Sequence, residues 1–536
     1  YRLHRRVNGV RVPNDTVLRR PAGLRVAEAL QRGVRVRLAH LLEGVDVIAV
    51  EGGSVDAVEV AEVRDDSRAV SRGDLFVATR GQTVDGHQYL GAAAQKGAVA
   101  FVVEANTETP KLDAVVVRAR SSTTALAQIA ANRWGRPADA MTMIGITGTN
   151  GKTTTTFLVE ALARAAGGEP GVLGTVTYRW RDVVREAPFT TPTPLVLHAT
   201  LAEMRAAGVT HVAMEASSHA LALGRLDGVR FKVAAFTNLT QDHLDFHGTM
   251  QEYAAAKAKL FREHLTSDGA GVINMDGEWG AFMLQEVRGR AIAVAAGGVP
   301  DVLVMHSEQT VDGIRAEFAT PVGPVTLSSP LIGAFNLENL AVGVGIGIGL
   351  GLTPEQIARG LAGVRGVPGR VERVPSGDRG FGVFVDYAHT PDALERVMAA
   401  LRPITRGRLI VVFGCGGDRD RSKRPIMGRA VARDADLPIV TSDNPRTEDP
   451  QAIIDMIVEG VREVRPEGAG FVVEADRRRA IGAAIEAAGP GDVVLIAGKG
   501  HEDYQIIGKL KQHFDDREEA AAALAKLANR APSGQS

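Results

Sequence analysis

The residues best suited to chemistry lie in one short run, Gly148-Thr149-Asn150-Gly151-Lys152-Thr153-Thr154. An apolar, β-prone segment from Met141 to Thr147 precedes it. Thr155 to Ala166 follows, with apolar residues at helical spacing. Strand, glycine loop, Lys-Thr and helix come in the order that a phosphate-binding loop requires. Gly148 and Gly151 permit a tight turn that aims backbone N–H groups inward, and the helix dipole adds to the pull on an anion. Lys152 can reach the outer phosphates of a nucleotide, and the Thr153 hydroxyl can join a magnesium shell. The general pattern has a further glycine at position 146, where this chain carries Ile146, so the loop is a shorter variant. A chance Gly-rich turn is the bland alternative, and the flanking strand and helix argue against it.

More polar clusters follow strand-like segments, where open α/β sheets place their ligands. His211 to Met214 leads to Glu215-Ala216-Ser217-Ser218-His219. Phe231 to Phe236 leads to Thr237-Asn238-Leu239-Thr240-Gln241-Asp242-His243. A carboxylate and a histidine at neighbouring strand ends suit a magnesium site once a nucleotide's phosphates are present. Each alone reads as an ordinary loop residue; downstream of a phosphate loop they read as a site. Farther on, strand-like runs end in Asp386-Tyr387-Ala388-His389, Gly414-Cys415-Gly416-Gly417-Asp418-Arg419, Ser442-Asp443-Asn444-Pro445-Arg446 and Gly498-Lys499-Gly500-His501-Glu502.

Elements that position these groups must be several sheets. At 536 residues the chain exceeds one ordinary core, and three domains are expected. Residues 1–37 read as an extension with one short helix near Leu24 to Gln31. Residues 38–135 read as a small α/β domain, 136–367 as a central phosphate-loop domain with a mostly parallel sheet, and 368–536 as a second doubly wound, Rossmann-like domain. Hydrophobic residues make up 45%, enough for packed interiors, and a net charge of −1 gives no footprint for nucleic acid or an anionic membrane. A single cysteine, Cys415, excludes an internal disulfide and a cysteine zinc site. With no signal-peptide pattern, the expected setting is the reducing cytoplasm. Leu340 to Leu352 is too short and glycine-rich to span a bilayer and reads as a buried helix.

The loop Gly148 to Thr154, the Met214 to His219 block, Thr237 to Gly248, Asn336-Leu337-Glu338-Asn339, Pro368 to Glu372 and Asp386 to Pro391 together resemble the Mur ligases, ATP-dependent amide ligases of cytoplasmic peptidoglycan synthesis. The resemblance covers about residues 38 to 530. Asp66-Ser67-Arg68, Gly414 to Asp420 and Gly498 to Gln505 look most like the branch that adds a diamino acid to UDP-N-acetylmuramoyl-L-alanyl-D-glutamate. The resemblance implies that Ser67, Gln82, Thr83 and Val84 hold the UDP-sugar, and that Thr190, Thr191, Ser217 and Arg225 position the dipeptide. ATP would lie on Gly148 to Thr154, with Asn336 and Asn339 near the adenine, Asp386 near the ribose and Arg370 near the transferred phosphate. Glu215, His243 and Thr153 would be magnesium ligands, and Lys257 would be carried as a carbamate that holds a second magnesium. By periodicity alone Lys257 is an exposed helix lysine. Where the family often has Gln two residues before Arg225, this chain has Leu223.

The implied chemistry is attack of a carboxylate on the ATP γ-phosphate, then of an amine on the acyl phosphate. Lys152 and Arg370 would offset the charge of the first step. No nucleophilic side chain is required, so Cys415, His219 and His389 are read as structural. The amino acid could be meso-diaminopimelate, L-lysine or L-ornithine. The tetrad Asp443-Asn444-Pro445-Arg446 resembles the diaminopimelate-adding branch: Arg446 has the fork geometry for a distal carboxylate. Arg419 would clamp the other carboxylate, and Gly498 and Glu502 would hold the distal ammonium. A local ion pair of Arg446 with Glu448 or Asp449 is the competing reading. A folylpolyglutamate-synthase-like ligase and a non-catalytic nucleotide scaffold are the remaining alternatives. The partners expected are small molecules, with the protein a monomer.

Overall fold

The computed structural model describes residues 6–7, 10–11, 34–81, 84–466 and 470–530, without the side chains of 6–7, 10–11 and 528–530. The helix expected near Leu24 to Gln31 lies outside them. The first sheet is built from β1 (Val47–Glu51), β2 (Val63–Arg64), β3 (Leu75–Val77), β4 (Ala100–Glu104) and β5 (Val115–Ala119), in the order β1-β5-β4-β3-β2. Helices α1 (Leu90–Gln95) and α2 (Ser122–Arg133) accompany it. Successive side chains of a strand point to opposite faces. Leu75, Val77, Val102 and Val117 therefore enter one core, and Phe76, Phe101, Val103 and Val116 another. Val36 and Arg37, counted in the extension from sequence, pair with Val60 and Glu59.

The chain then runs through β6 (Thr142–Thr147), α3 (Lys152–Ala165), β7 (Pro170–Leu173), β8 (Thr177–Trp180), β9 (Val183–Glu186), α4 (Pro194–Ala206), β10 (His211–Glu215), α5 (Ser218–Ala222) and β11 (Phe231–Phe236). It continues with α6 (Met250–Lys259), a π-helical turn over Leu260–His264, β12 (Leu265–Asn274), β13 (Arg290–Ala295), β14 (Val302–Thr310), β15 (Gly313–Ala319), β16 (Val325–Ser329), α7 (Ala334–Gly349) and α8 (Pro354–Ala362).

Two compact units emerge. One holds residues 1–143 and 169–231, the other 144–168 and 232–536. In the first unit β7 is parallel to β10 and antiparallel to β8, which pairs with β9. In the second, β6 is parallel to β11, and β12, β13 and β14 are parallel neighbours. Antiparallel β15 and β16 extend that sheet, an addition to the mostly parallel arrangement expected from sequence. Helix α7 is the buried helix anticipated around Leu340. A Cβ at Gly345 or Gly347 would press on Val272 or Ile357, so the glycines let neighbours approach its axis.

The last sheet comprises β17 (Glu372–Val374), β18 (Gly382–Asp386), β19 (Leu409–Phe413), β20 (Leu437–Val440), β21 (Val472–Val473) and β22 (Val493–Ala497), ordered β17-β18-β22-β19-β20-β21. Helices α9 (Pro391–Leu401), α10 (Lys423–Asp434), α11 (Pro450–Val464) and α12 (Arg477–Ala487) alternate with these strands. A hairpin, β23 (Tyr504–Ile507) and β24 (Leu510–His513), leads to α13 (Asp516–Arg530). Leu409, Val411 and Phe413 face one core while Ile410 and Val412 face the other, the two-sided burial of a doubly wound sheet. Among the described residues, no helix is long and apolar enough to cross a membrane.

Candidate active site

Strand β6 delivers the phosphate loop, and α3 starts at Lys152, three residues earlier than the apolar spacing suggests, because Gly151 caps it at φ +85°. Gly148 adopts φ +149°, and a Cβ there would run into Thr237 and Asn238. A Cβ on Gly151 would collide with the Asn339 amide oxygen. Both glycines are thus demanded by the loop's neighbours as well as by its turn. The loop is braced from β11: Thr149 N donates to Asn238 O at 2.8 Å, Asn150 N to Asn238 Oδ1 at 2.9 Å, and Thr237 Oγ1 to Asn150 O. Lys152 folds back, its Nζ donating to the carbonyls of Gly148 and Thr149 at 2.9 Å each. Thr153 and Thr154 are buried in the first turn of α3. Asn336 and Asn339 are joined by a 3.0 Å bond and both buried.

Lys257 is not the exposed lysine of the periodic reading. It is 1% exposed, and its Nζ donates to Gly148 O at 2.8 Å and lies 4.4 Å from the centroid of the Tyr253 ring. Tyr253, one helical turn earlier on α6, bonds Thr149 Oγ1 at 3.1 Å. Burial pushes the Lys257 ammonium well below the usual lysine range, and repulsion from Lys152 adds to it. An amine so disposed toward its neutral form is the form that combines with CO2, so the position fits a carbamate. His243 sits at φ +54° on the neighbouring loop, its ring edge-on to Tyr253 at 6.1 Å.

In the first unit, Glu215 ends β10 with 1% exposure. Its carboxylate accepts from Thr175 N at 2.9 Å and Thr175 Oγ1 at 3.0 Å. The Thr175 hydroxyl also meets Thr190 Oγ1 at 3.1 Å. Thr191 Oγ1 donates to Glu215 O at 2.7 Å and bonds Ser217 Oγ at 3.1 Å. Arg225 reaches Thr191 O at 3.4 Å and lies over Phe189. Sequence reading therefore located one connected polar cluster but missed Thr175, although it follows the carboxyl end of β7. Among the described residues no three His, Cys, Asp or Glu side chains gather as a cation site. Taken one by one, the Glu215 carboxylate, the Thr153 hydroxyl and the His243 imidazole are donors of kinds that a magnesium can take beside phosphate and water ligands.

Near the first sheet, Ser67 offers its carbonyl to Lys96 Nζ at 2.9 Å, and Val84 is exposed. Gln82 and Thr83 lie outside the described residues. His87 is buried, accepts from Glu104 N at 3.0 Å and bonds Asp85 Oδ1 at 2.6 Å, which puts its proton on Nδ1.

Beyond Pro368, Arg370 lies over the Tyr387 ring at 5.4 Å. Both oxygens of Asp386 accept backbone amides, from Val371 at 2.7 Å and Ala388 at 2.8 Å. Burial pushes its carboxyl up, while Arg370 opposes that rise. Arg446, at φ +52°, donates from Nη1 to Gly417 O at 2.7 Å. Among the described residues neither Glu448 nor Asp449 pairs with it. Glu448 is held by Arg424 and Arg421 at 2.8 and 3.0 Å, and Asp449 caps α11. Asn444 Nδ2 donates to Glu502 Oε2 at 3.0 Å, and a Cβ on Gly498 would be in ordinary contact with Asp443 Oδ2 at 3.5 Å. Pro445 is buried and Arg419 exposed. Lys499, in the loop Gly498 to Glu502, is 0% exposed between Asp443 and Glu502, a role its sequence position does not reveal. Cys415 is buried with its thiol pushed up to about 12 by desolvation, no thiolate nucleophile at neutral pH.

A phosphate loop on one sheet and a polar strand-end cluster on a second, doubly wound sheet define a nucleotide-binding α/β class of protein. Three family profiles match in order: "Mur ligase family, catalytic domain" over 59–134, "Mur ligase middle domain" over 146–347 and "Mur ligase, glutamate ligase domain" over 369–500. The chain belongs to the Mur ligase family. It is 48% identical, over 89% of its length and 96% of the relative's, to a UDP-N-acetylmuramoyl-L-alanyl-D-glutamate--2,6-diaminopimelate ligase of Geobacter metallireducens. The ligase of the same name from Gloeobacter violaceus is 48% identical over 88% of this chain and 95% of its own. A solved structure of a ligase with that name superposes with TM-score 0.68 at 30% identity, covering 92% of this chain and 100% of the other. The Thermotoga maritima MurF ligase in complex with ADP shares the fold, with TM-score 0.55 at 20% identity over 88% and 98%.

Proposed function

We infer that this protein is an ATP-dependent ligase that joins meso-2,6-diaminopimelate to the D-glutamate γ-carboxylate of UDP-N-acetylmuramoyl-L-alanyl-D-glutamate, releasing ADP and phosphate. The observation that carries the amino-acid assignment is Arg446, held on Gly417 O and free of Glu448 and Asp449. A planar guanidinium there, with Glu502 fixed by Asn444, offers one cation and one anion to a zwitterionic head. Arg419, Asp443, Pro445 and Gly498 complete the proposed amino-acid site.

The proposed course uses this chain's groups as follows. Gly148 to Thr154 cradle the ATP phosphates, Asn336 and Asn339 border the adenine, and Lys152 leaves its loop carbonyls to meet the outer phosphates. Ser67, Gln82, Thr83 and Val84 bind the UDP-sugar. Thr190, Thr191, Ser217 and Arg225 orient the dipeptide, so that its γ-carboxylate attacks the γ-phosphate in line. Lys152 and Arg370 offset the charge that gathers on the transferring group. Asp386 fixes the turn that carries Arg370, and any ribose contact is added to those two amide bonds. The incoming amine then attacks the acyl phosphate and phosphate leaves; positioning supplies most of the rate. Bound magnesium supplies positive charge against the phosphates, and Thr153, Glu215, His243 and carbamylated Lys257 are the groups proposed to hold it. The carbamate forms when the neutral Lys257 amine attacks CO2 and releases a proton. The setting proposed is cytoplasmic, and the protein a monomer.

The test is phosphate release with ATP, magnesium, bicarbonate and the UDP-muramoyl dipeptide, comparing meso-diaminopimelate, L-lysine and L-ornithine. Strong selection for diaminopimelate is expected. Selection of lysine or ornithine would overturn the amino-acid assignment, and no amine-stimulated release would leave a scaffold.

A further inference from the structure

We propose that Lys499 is a specificity-determining positioning residue: through Asn444 it sets both Glu502 and the Arg446 turn so that the site takes an amino acid with a distal carboxylate and rejects one with a lone distal ammonium. This rests on the amino-acid site just described and deepens it.

Lys499 is completely enclosed, so it acts through its neighbours. Its Nζ lies 3.2 Å from Asn444 Oδ1, 3.4 Å from Asp443 Oδ1 and 3.6 Å from Glu502 Oε2, with the Tyr504 ring centroid at 5.6 Å. A buried ammonium is tolerated only when paired and hydrogen-bonded, which these groups provide. Asn444 is the hub. Its Oδ1 accepts from Lys499 and, at 3.0 Å, from Ile506 N. Its Nδ2 donates to Glu502 Oε2 at 3.0 Å. Ile506 O in turn accepts Arg446 N at 3.0 Å, and Gly508 N closes the turn on Arg446 O at 2.6 Å. One side chain thus connects the lysine to the proposed anion reader and the proposed cation reader. Lys499 and Asn444 both engage Oε2 of Glu502, and the Tyr504 side chain also bonds that carboxylate, so this network fixes the group proposed to meet the substrate ammonium.

Charge gives the direction of the effect. Lys499 with Asp443 and Glu502 carries one net negative charge, matched to one substrate ammonium. Without the lysine the pair of carboxylates carries two. That excess repels a distal carboxylate and attracts the uncompensated cation of L-lysine.

Steady-state amide formation with meso-diaminopimelate and with L-lysine tests this on Lys499→Met, Lys499→Arg, Glu502→Gln and the Lys499→Met/Glu502→Gln double variant. Melting temperature and the acyl-phosphate half-reaction, which needs no amine, report on fold and phosphoryl transfer. Lys499→Met is expected to raise KM for diaminopimelate roughly tenfold and lower that for lysine, at near-constant kcat and half-reaction rate. Lys499→Arg is expected to retain most discrimination, and the double variant to fall short of the product of the singles. Parallel rises of both KM values, or a fall in kcat alone, would overturn the proposal. If Glu502→Gln leaves the diaminopimelate KM unchanged, the amino-acid site itself is overturned. Should Lys499→Met not fold, Lys499→Gln, shorter and hydrogen-bonding, carries the same expectations.

Discussion

The buried amine of Lys257 donates to the carbonyl of Gly148, tying α6 to the first residue of the phosphate loop. A lysine read from periodicity as solvated is instead enclosed against the loop it is proposed to serve.

Lys257→Met is therefore expected to lower ligase activity by a hundredfold or more, with partial rescue by small carboxylates. Its stability signature has a fixed sign. The folded-state pKa lies below the unfolded one, so between them the unfolded chain binds the extra proton. Without bicarbonate, the melting temperature of the parent relative to Lys257→Met should rise with pH up to the ordinary lysine pKa. A difference independent of pH would refute the buried-lysine assignment.

Thr175→Val keeps the backbone N–H to Glu215 but deletes the hydroxyl bond. Glu215 is proposed as a magnesium ligand, and partners that orient a metal ligand typically affect metal affinity or activity by about 10–100-fold. Titration of activity against magnesium should show a requirement shifted upward by about that factor, with the melting temperature little changed.

Gly151→Ala places a Cβ against Asn339 in a left-handed backbone. The backbone term alone costs about 1–2 kcal/mol. Equilibrium binding of ATP should weaken by tenfold or more. Asn339→Ala in the same chain should recover part of that loss by removing the collision.

Glu448 is pushed down to about 2, chiefly by hydrogen bonds from the buried Arg424. Its contribution is fully present above the unfolded Glu pKa and is lost as pH falls toward 2. Urea midpoints of Glu448→Gln should lie below the parent at pH 7 and converge with it near pH 2. Equal midpoints throughout would show that Arg424 is satisfied by other groups.

Much of this was legible from local pattern. The phosphate loop carries its own signature because its glycines, lysine and threonines are consecutive and act through backbone they themselves shape. Strands β11 and β22 were legible to the residue, because apolar runs bounded by polar ends, interrupted in β11 only by Lys232, suit a sheet buried on both faces. The hairpin extension β15 and β16 was not, because its alternating pattern does not say which strand it will join.

Sequence by itself determined the family, the order of the elements and the loops that hold the candidate site, since each depends on residues close together in the chain. Only the tertiary structure decided which of those residues are paired. Arg446 escapes Glu448 because Arg424 and Arg421, over twenty positions away, take that carboxylate. Lys257 loses its water to Gly148, and Lys499 is enclosed by Asp443 and Glu502. Burial and ion pairing depend on distances between remote segments, which spacing along the chain does not encode.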